Sequence, residues 1–156
     1  MIQRRQSLYL LLIVLLHIIL YWIPLWVNTA DGGSEALMAF GLHVSGKFEL
    51  LPLSGTNYVL FIQIVNVLVL LLAAVSIFLY RSREIQHRLT RLGVLLEAAL
   101  VVLCFLAVTQ IRSDHLVEGR YRAGIIFPLI SLVLFLFAGQ RIRRDEELVR
   151  SSDRLR

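Results

Sequence analysis

Four long apolar runs set the rhythm of this chain: Leu8 to Val27, Tyr58 to Tyr80, Leu92 to Ile111 and Tyr121 to Gly139. Each is close to the ~20 residues that a helix needs to cross a ~30 Å hydrocarbon core. A helix is the expected form, because lipid offers no hydrogen-bond partner to an open backbone. A barrel strand would instead alternate polar and apolar positions, which these runs do not. The pattern predicts an all-α membrane protein, a four-transmembrane-helix bundle, forming one integral domain over residues 1–156.

Between the first two runs lies NTADGGSEALMAFGLHVSGKFELLPLSGT, with turn signals at Asp31-Gly32-Gly33, Ser45-Gly46 and Ser54-Gly55. Met38, Phe40, Leu42 and Val44 alternate with smaller or polar residues, and Phe48 and Leu50 continue the pattern. This predicts a small extracytoplasmic β-hairpin over 35–53 with one bulky face. A lone hairpin is marginal in water, so that face is expected to rest on helix ends or on a partner.

Composition agrees with lipid as the surroundings: 58% of residues are hydrophobic and the mean hydropathy is +0.75. The net charge of +5 arises from sixteen cations, fifteen of them arginine, against eleven acids. Because these charges sit between apolar runs, they read as topology and headgroup contacts rather than as a nucleic-acid surface. Twelve cations flank one side of the predicted crossings: Arg4 and Arg5; Arg81, Arg83, Arg88 and Arg91; Arg141, Arg143, Arg144, Arg150, Arg154 and Arg156. The other side has Lys47, Arg112, Arg120 and Arg122. The positive-inside rule then places both termini in the cytoplasm. Tyr21, Trp22, Trp26, Tyr58, Tyr80 and Tyr121 stand near run ends, as interfacial aromatics do. The opening MIQRR resembles the start of a secretory signal, but its apolar run exceeds the ~7–15 residues of such a segment, so an uncleaved first span is expected.

Helical phase assigns inward faces. Gln63, Asn66, Ala73 and Ala74 share a sector in the second run; Gly93, Glu97, Cys104 and Ala107 in the third; Gly124, Pro128, Ser131 and Ala138 in the fourth. Small and polar residues let membrane helices approach closely and bond to one another, so these faces are expected to be bundle seams. His17, Asn66 and Ser131 fall at similar depth, which suggests a hydrogen-bonded midplane layer. Glu97, counted from Arg91, falls in the cytoplasmic third, where it needs a donor or a proton. Pro128 is expected to kink its helix by freeing the Gly124 carbonyl.

Chemistry is sparse. The residue sets of zinc proteases, serine hydrolases and nucleotide-binding loops are absent, so no catalytic residue, cofactor or metal is expected. Asp114, His115 and Glu118 read as a polar turn rather than ligands, and neither His43 nor His87 has a companion. Cys104 is the sole cysteine and cannot form an intrachain disulfide.

The last residues, 140–156, predict a charged cytoplasmic helix with Arg143 to Glu147 and Glu146 to Arg150 at i,i+4 spacing, and Ile142, Leu148, Val149 and Leu155 as a thin apolar stripe. Two segments carry a family resemblance. Met1, Ile2, Gln3, Arg4, Gln6 and Tyr9 at the start, and Asp145, Glu146, Leu148, Val149, Arg150, Ser151, Asp153, Arg154 and Leu155 at the end, resemble the two ends of domain-of-unknown-function family 4293. That family comprises small four-span proteins of Bacteroidetes-type bacteria; Arg5 stands where its opening often carries an apolar residue. The resemblance implies the bacterial inner membrane and assigns no activity.

The expectation is a non-enzymatic accessory or scaffold subunit. It contacts anionic lipid, another membrane or cytosolic protein, or a second copy through Arg4, Arg81, Arg83, Arg88, Arg91, Arg143, Glu146, Glu147, Arg150, Asp153 and Arg154. The alternative is a proton, ion or small-solute pathway through His17, Asn66 and Glu97, with Gln63 and Ser131 as further intramembrane polar groups.

Overall fold

The computed structural model describes residues 3–30, 33–39, 41–44, 47–49, 58–79, 82–115 and 119–153. Four helices dominate it: α1 (Gln3–Leu20), α2 (Tyr58–Phe78), α3 (Arg83–His115) and α4 (Ile126–Asp153). α1 packs on α2 and α4, and α3 packs on the same two, so the helices close a ring in chain order. By length and composition, α2, α3 and α4 each contain a segment able to cross a membrane. The apolar part of α1, Ser7–Leu20, is shorter than those three.

The first helix ends earlier than its hydropathy suggests. Tyr21 and Trp22 close it with turn bonds to the Ile18 and Ile19 carbonyls, at 3.2 and 3.0 Å. Pro24 then biases Ile23 towards extended backbone and cannot itself donate. Residues 26–30, expected to include the end of a span, form strand β1 (Trp26–Ala30) instead.

The expected hairpin is part of a larger antiparallel sheet. β2 (Gly33–Met38), β3 (Gly41–Val44) and β4 (Lys47–Glu49) follow β1, and β5 (Arg120–Tyr121) comes from the α3–α4 connection. The strand order is β4-β3-β2-β1-β5. Met38 registers opposite Gly41 and Leu37 opposite Leu42. This two-residue connection reverses the alternation, so Met38 and Leu42 occupy opposite faces rather than sharing one. Leu37 and Trp26, also register partners, are both fully buried. Trp26 is thus a core residue, not an interfacial one. Phe40 and residues 50–53 of the predicted outer segment, like Tyr80, lie outside the described residues.

Backbone bonds tie this sheet to α4. Leu25 N–H donates to the Leu37 carbonyl at 2.8 Å, Arg122 N–H to Leu25 at 3.0 Å, and Gly124 N–H to Pro24 at 3.2 Å. Gly124 is required there, because a Cβ would stand 2.6 Å from the Pro24 carbonyl oxygen. A short 3-10 turn, Ala123–Ile125, leads into α4. Pro128 is consequently the third residue of α4, where the first N–H groups have no intrahelical acceptor; the expected freeing of a carbonyl within the helix does not arise.

At the opposite end, α2 and α3 are joined through Ser82, whose N–H donates to the Leu79 carbonyl at 3.0 Å. The buried Gln86 side chain donates to the Ser76 carbonyl at 3.0 Å. α3 begins at Arg83 and α4 runs on to Asp153, so both extend beyond their apolar stretches; residues 154–156 of the predicted terminal helix lie outside the described residues. Outward faces are apolar, with Phe61, Ile64, Leu68, Leu71 and Val75 exposed along α2. An apolar exterior of that extent marks a surface meant for lipid or protein.

Gly93 on α3 receives the ring of buried Phe135 on α4, and a Cβ would fall 2.5 Å from that ring. Gly93→Ala should therefore destabilise the protein by roughly 1–3 kcal/mol through overpacking. Phe135→Leu in the same chain should recover most of that loss, read as thermal unfolding in detergent; equal losses for the single and double variants would refute the seam.

Candidate functional site

Two apolar clusters fill the interior, and a polar layer divides them. One cluster includes Leu20, Ile62, Leu100 and, partly buried, Phe127. The other includes Ile13, Val69, Leu134 and, partly buried, Leu96. Between these positions each helix contributes one buried polar residue: His17 between Ile13 and Leu20, Asn66 between Ile62 and Val69, Glu97 between Leu96 and Leu100, and Ser131 between Phe127 and Leu134. Their exposures are 1% for His17 and 0% for the other three.

Helical spacing accounts for the placement. His17 lies four residues after Ile13 and three before Leu20, so it shares their face. The sectors expected for α3 and α4 are buried at every position: Gly93, Glu97, Cys104 and Ala107, then Gly124, Pro128, Ser131 and Ala138. In α2 the buried face is Val59, Ile62, Asn66, Val69, Ala73 and Ser76. Gln63 and Ala74 stand only half-buried beside it, and Gln63 has a polar partner of its own.

Glu97 faces the histidine of the first helix. Its Oε1 lies 3.2 Å from His17 Nε2. Counting rise from Arg91 gave a position along α3 but not this neighbour, because which groups stand level with Glu97 depends on how α3 lies beside α1.

His17 Nδ1 is 2.9 Å from the Ile13 carbonyl oxygen. A carbonyl only accepts, so Nδ1 carries a hydrogen, and in a neutral ring Nε2 is then a bare lone pair. Two lone pairs do not approach to 3.2 Å unaided. A hydrogen between the two would join them, either on Nε2 facing a carboxylate or on the carboxyl facing a neutral imidazole. Both arrangements have zero net charge, which suits a low-dielectric interior. The Ser131 hydroxyl sits beside the same carboxyl group. By hydrogen-bond geometry His17 Nε2, both amide atoms of Asn66, both carboxyl oxygens of Glu97 and Ser131 Oγ are buried without a partner, so the layer is juxtaposed rather than hydrogen-bonded, and groups of that kind in a native interior call for a specific explanation.

Sequence reasoning named arginines at the start of α3 and late in α4 but did not bring the two segments together. His87, Thr90, Arg91, Gln140 and Arg143 line a groove of about 190 Å³ between these helices, so His87 does have companions. Arg88, on another side of α3, pairs with Glu84 at 2.6 Å, and both are exposed. Arg143 is exposed and has a polar partner. Arg81 and Arg154 lie outside the described residues, as do the side chains of Arg4, Arg83, Glu146, Glu147, Arg150 and Asp153. Glu118 lies outside them too. Among the described residues no group of three metal-ligating side chains occurs.

A ring of apolar helices around a buried polar layer, three of them long enough to span a bilayer, defines a helical protein compatible with life in a membrane. The chain belongs to the family described as Domain of unknown function (DUF4293), whose model matches residues 2–155. No curated protein and no solved structure matches it.

His17→Leu or Glu97→Leu alone should cost about 1–3 kcal/mol by leaving one buried polar group without its partner. The double variant should lose clearly less than the sum of the two. Strict additivity in detergent unfolding would mean that the pair is not coupled.

Proposed function

We propose that this is a multi-pass protein of the bacterial cytoplasmic (inner) membrane, with both termini cytoplasmic, acting as a non-enzymatic accessory or scaffold subunit. One observation carries the reading. α3 and α4 lie side by side and continue past their apolar stretches, α4 by roughly 13 Å beyond Arg144 at ~1.5 Å per residue. The chain thereby offers an arginine-bearing helical platform on the side of its termini, away from the sheet. The arginine excess supports a cytoplasmic position for that platform. α1 completes the crossings in this reading: it is flanked by α2 and α4, with Leu8, Leu11, Leu15 and Ile19 exposed. Its shortness is met by local thinning of the bilayer and by Trp22, which is 72% exposed just past its end.

The buried layer supports a second reading, a proton or small-ion path. It rests on the unpartnered atoms of Asn66 and Glu97 beside His17. In the first reading the same layer fixes how the four helices register, since only one pairing of faces brings the polar groups together.

Copurification from native membranes is expected to recover a stoichiometric companion that is lost when residues 145–156 are deleted, and a substituted residue 150 should resist labelling from outside intact cells. A chain that always purifies alone, or exterior labelling, would remove the first reading. Proton or cation flux into proteoliposomes, abolished by Glu97→Gln and by His17→Ala, is the outcome expected from the second; flux indifferent to both would remove it.

A further inference from the structure

We infer that the groove between the cytoplasmic ends of α3 and α4 is a binding site for one anionic phospholipid. This deepens the proposed role of the cytoplasmic face and rests on it for the orientation of the groove. The argument starts from the order of residues along two antiparallel helices. On α3, His87, Thr90 and Arg91 come before Val94; on α4, Phe135 and Leu136 come before Gln140 and Arg143. Both walls therefore change from polar to apolar in the same direction, from the end nearest the termini towards the buried layer. A phospholipid has the same order, a charged phosphate followed by hydrocarbon.

Space for it comes from Gly139. A Cβ there would stand 3.5 Å from Thr90 Oγ1, so an alanine would just touch the opposite wall and any longer side chain would occupy the groove. Leu136 is 43% exposed, leaving an apolar edge open for an acyl chain to lie against.

The polar end favours a phosphate. Arg91 and Arg143 are both exposed and stand on opposite walls; Arg143 already has a partner in the chain, but a guanidinium carries five N–H donors and can present two of them to phosphate oxygens besides. His87 Nδ1 is buried with no hydrogen-bonding partner. In the tautomer with a proton on Nδ1 it donates to an oxygen acceptor. Thr90 donates its hydroxyl to the His87 carbonyl at 2.9 Å, which holds that side chain against its own helix. A zwitterionic lipid would satisfy the hydrocarbon half of the groove equally well, so selectivity for net negative headgroups is the distinguishing property.

The test uses the full chain purified in neutral detergent, titrated separately with phosphatidylglycerol, phosphatidylcholine and inorganic phosphate, and read by native mass spectrometry and thermal unfolding. Phosphatidylglycerol should form a one-to-one adduct and raise the unfolding temperature, phosphatidylcholine markedly less and phosphate alone not at all. Arg91→Gln and Arg143→Gln should each weaken the adduct roughly five-fold. Gly139→Leu should abolish it with every charge retained, whereas Arg88→Gln, outside the groove, should leave it unchanged. Variants are compared only where lipid-free unfolding matches the parent; should Gly139→Leu fail that check, the arginine pair and the Arg88 control decide. Equal binding of the two lipids, an effect of Arg88→Gln as large as that of Arg91→Gln, or stabilisation by phosphate alone would overturn the assignment. Because binding in detergent is blind to orientation, such a failure removes the groove alone, whereas exterior labelling of residue 150 removes the cytoplasmic reading and leaves the adduct in place.

Discussion

A peptide N–H or C=O without water and without a partner costs several kcal/mol, and hydrocarbon supplies no partner. Much of this architecture follows from that penalty. Apolar segments coil into helices that satisfy their own backbone. Irregular chain and strands gather at one end, where the α1–α2 and α3–α4 connections pair with each other through β1 and β5. Polar side chains within the helices turn towards one another, with large apolar side chains facing out.

The two polar features of the molecule answer that penalty differently. The His17–Glu97 pair is enclosed, each group facing the other rather than solvent. The α3–α4 groove has a basic end and is open, so its arginines remain within reach of solvent. Between them, Phe135 packs against Gly93 and also lines the groove, so one ring contributes both to the helix seam and to the groove floor.

Helical periodicity made much of the interior legible. The inward sectors of α3 and α4 could be read from a 3.6-residue repeat, because small and polar side chains interrupting an apolar run have few other places to go. Three features escaped for separate physical reasons. Leu25, Trp26 and Val27 prolong the apolar run, so hydropathy carried the span past the proline that follows the helix. β5 is two residues long and shows no alternation; its pairing with β1 is a matter of tertiary proximity. The contact between His17 and Glu97 depends on where α3 begins relative to its neighbours, and counting along a single helix does not contain that. The companions of His87 were equally hidden, since Arg143 lies more than fifty residues away in the chain.

The fifth strand also has a bearing on order in time. β1 to β4 leave the ribosome before the second helix, yet the free edge of β1 can be covered only after residues 120 and 121 have followed two further helices. Until then Trp26 lacks Gly119, the neighbour against which its ring closes. The sheet is therefore completed late: its last strand becomes available only once the third helix has been made, and until then one edge of β1 stands open to pairing.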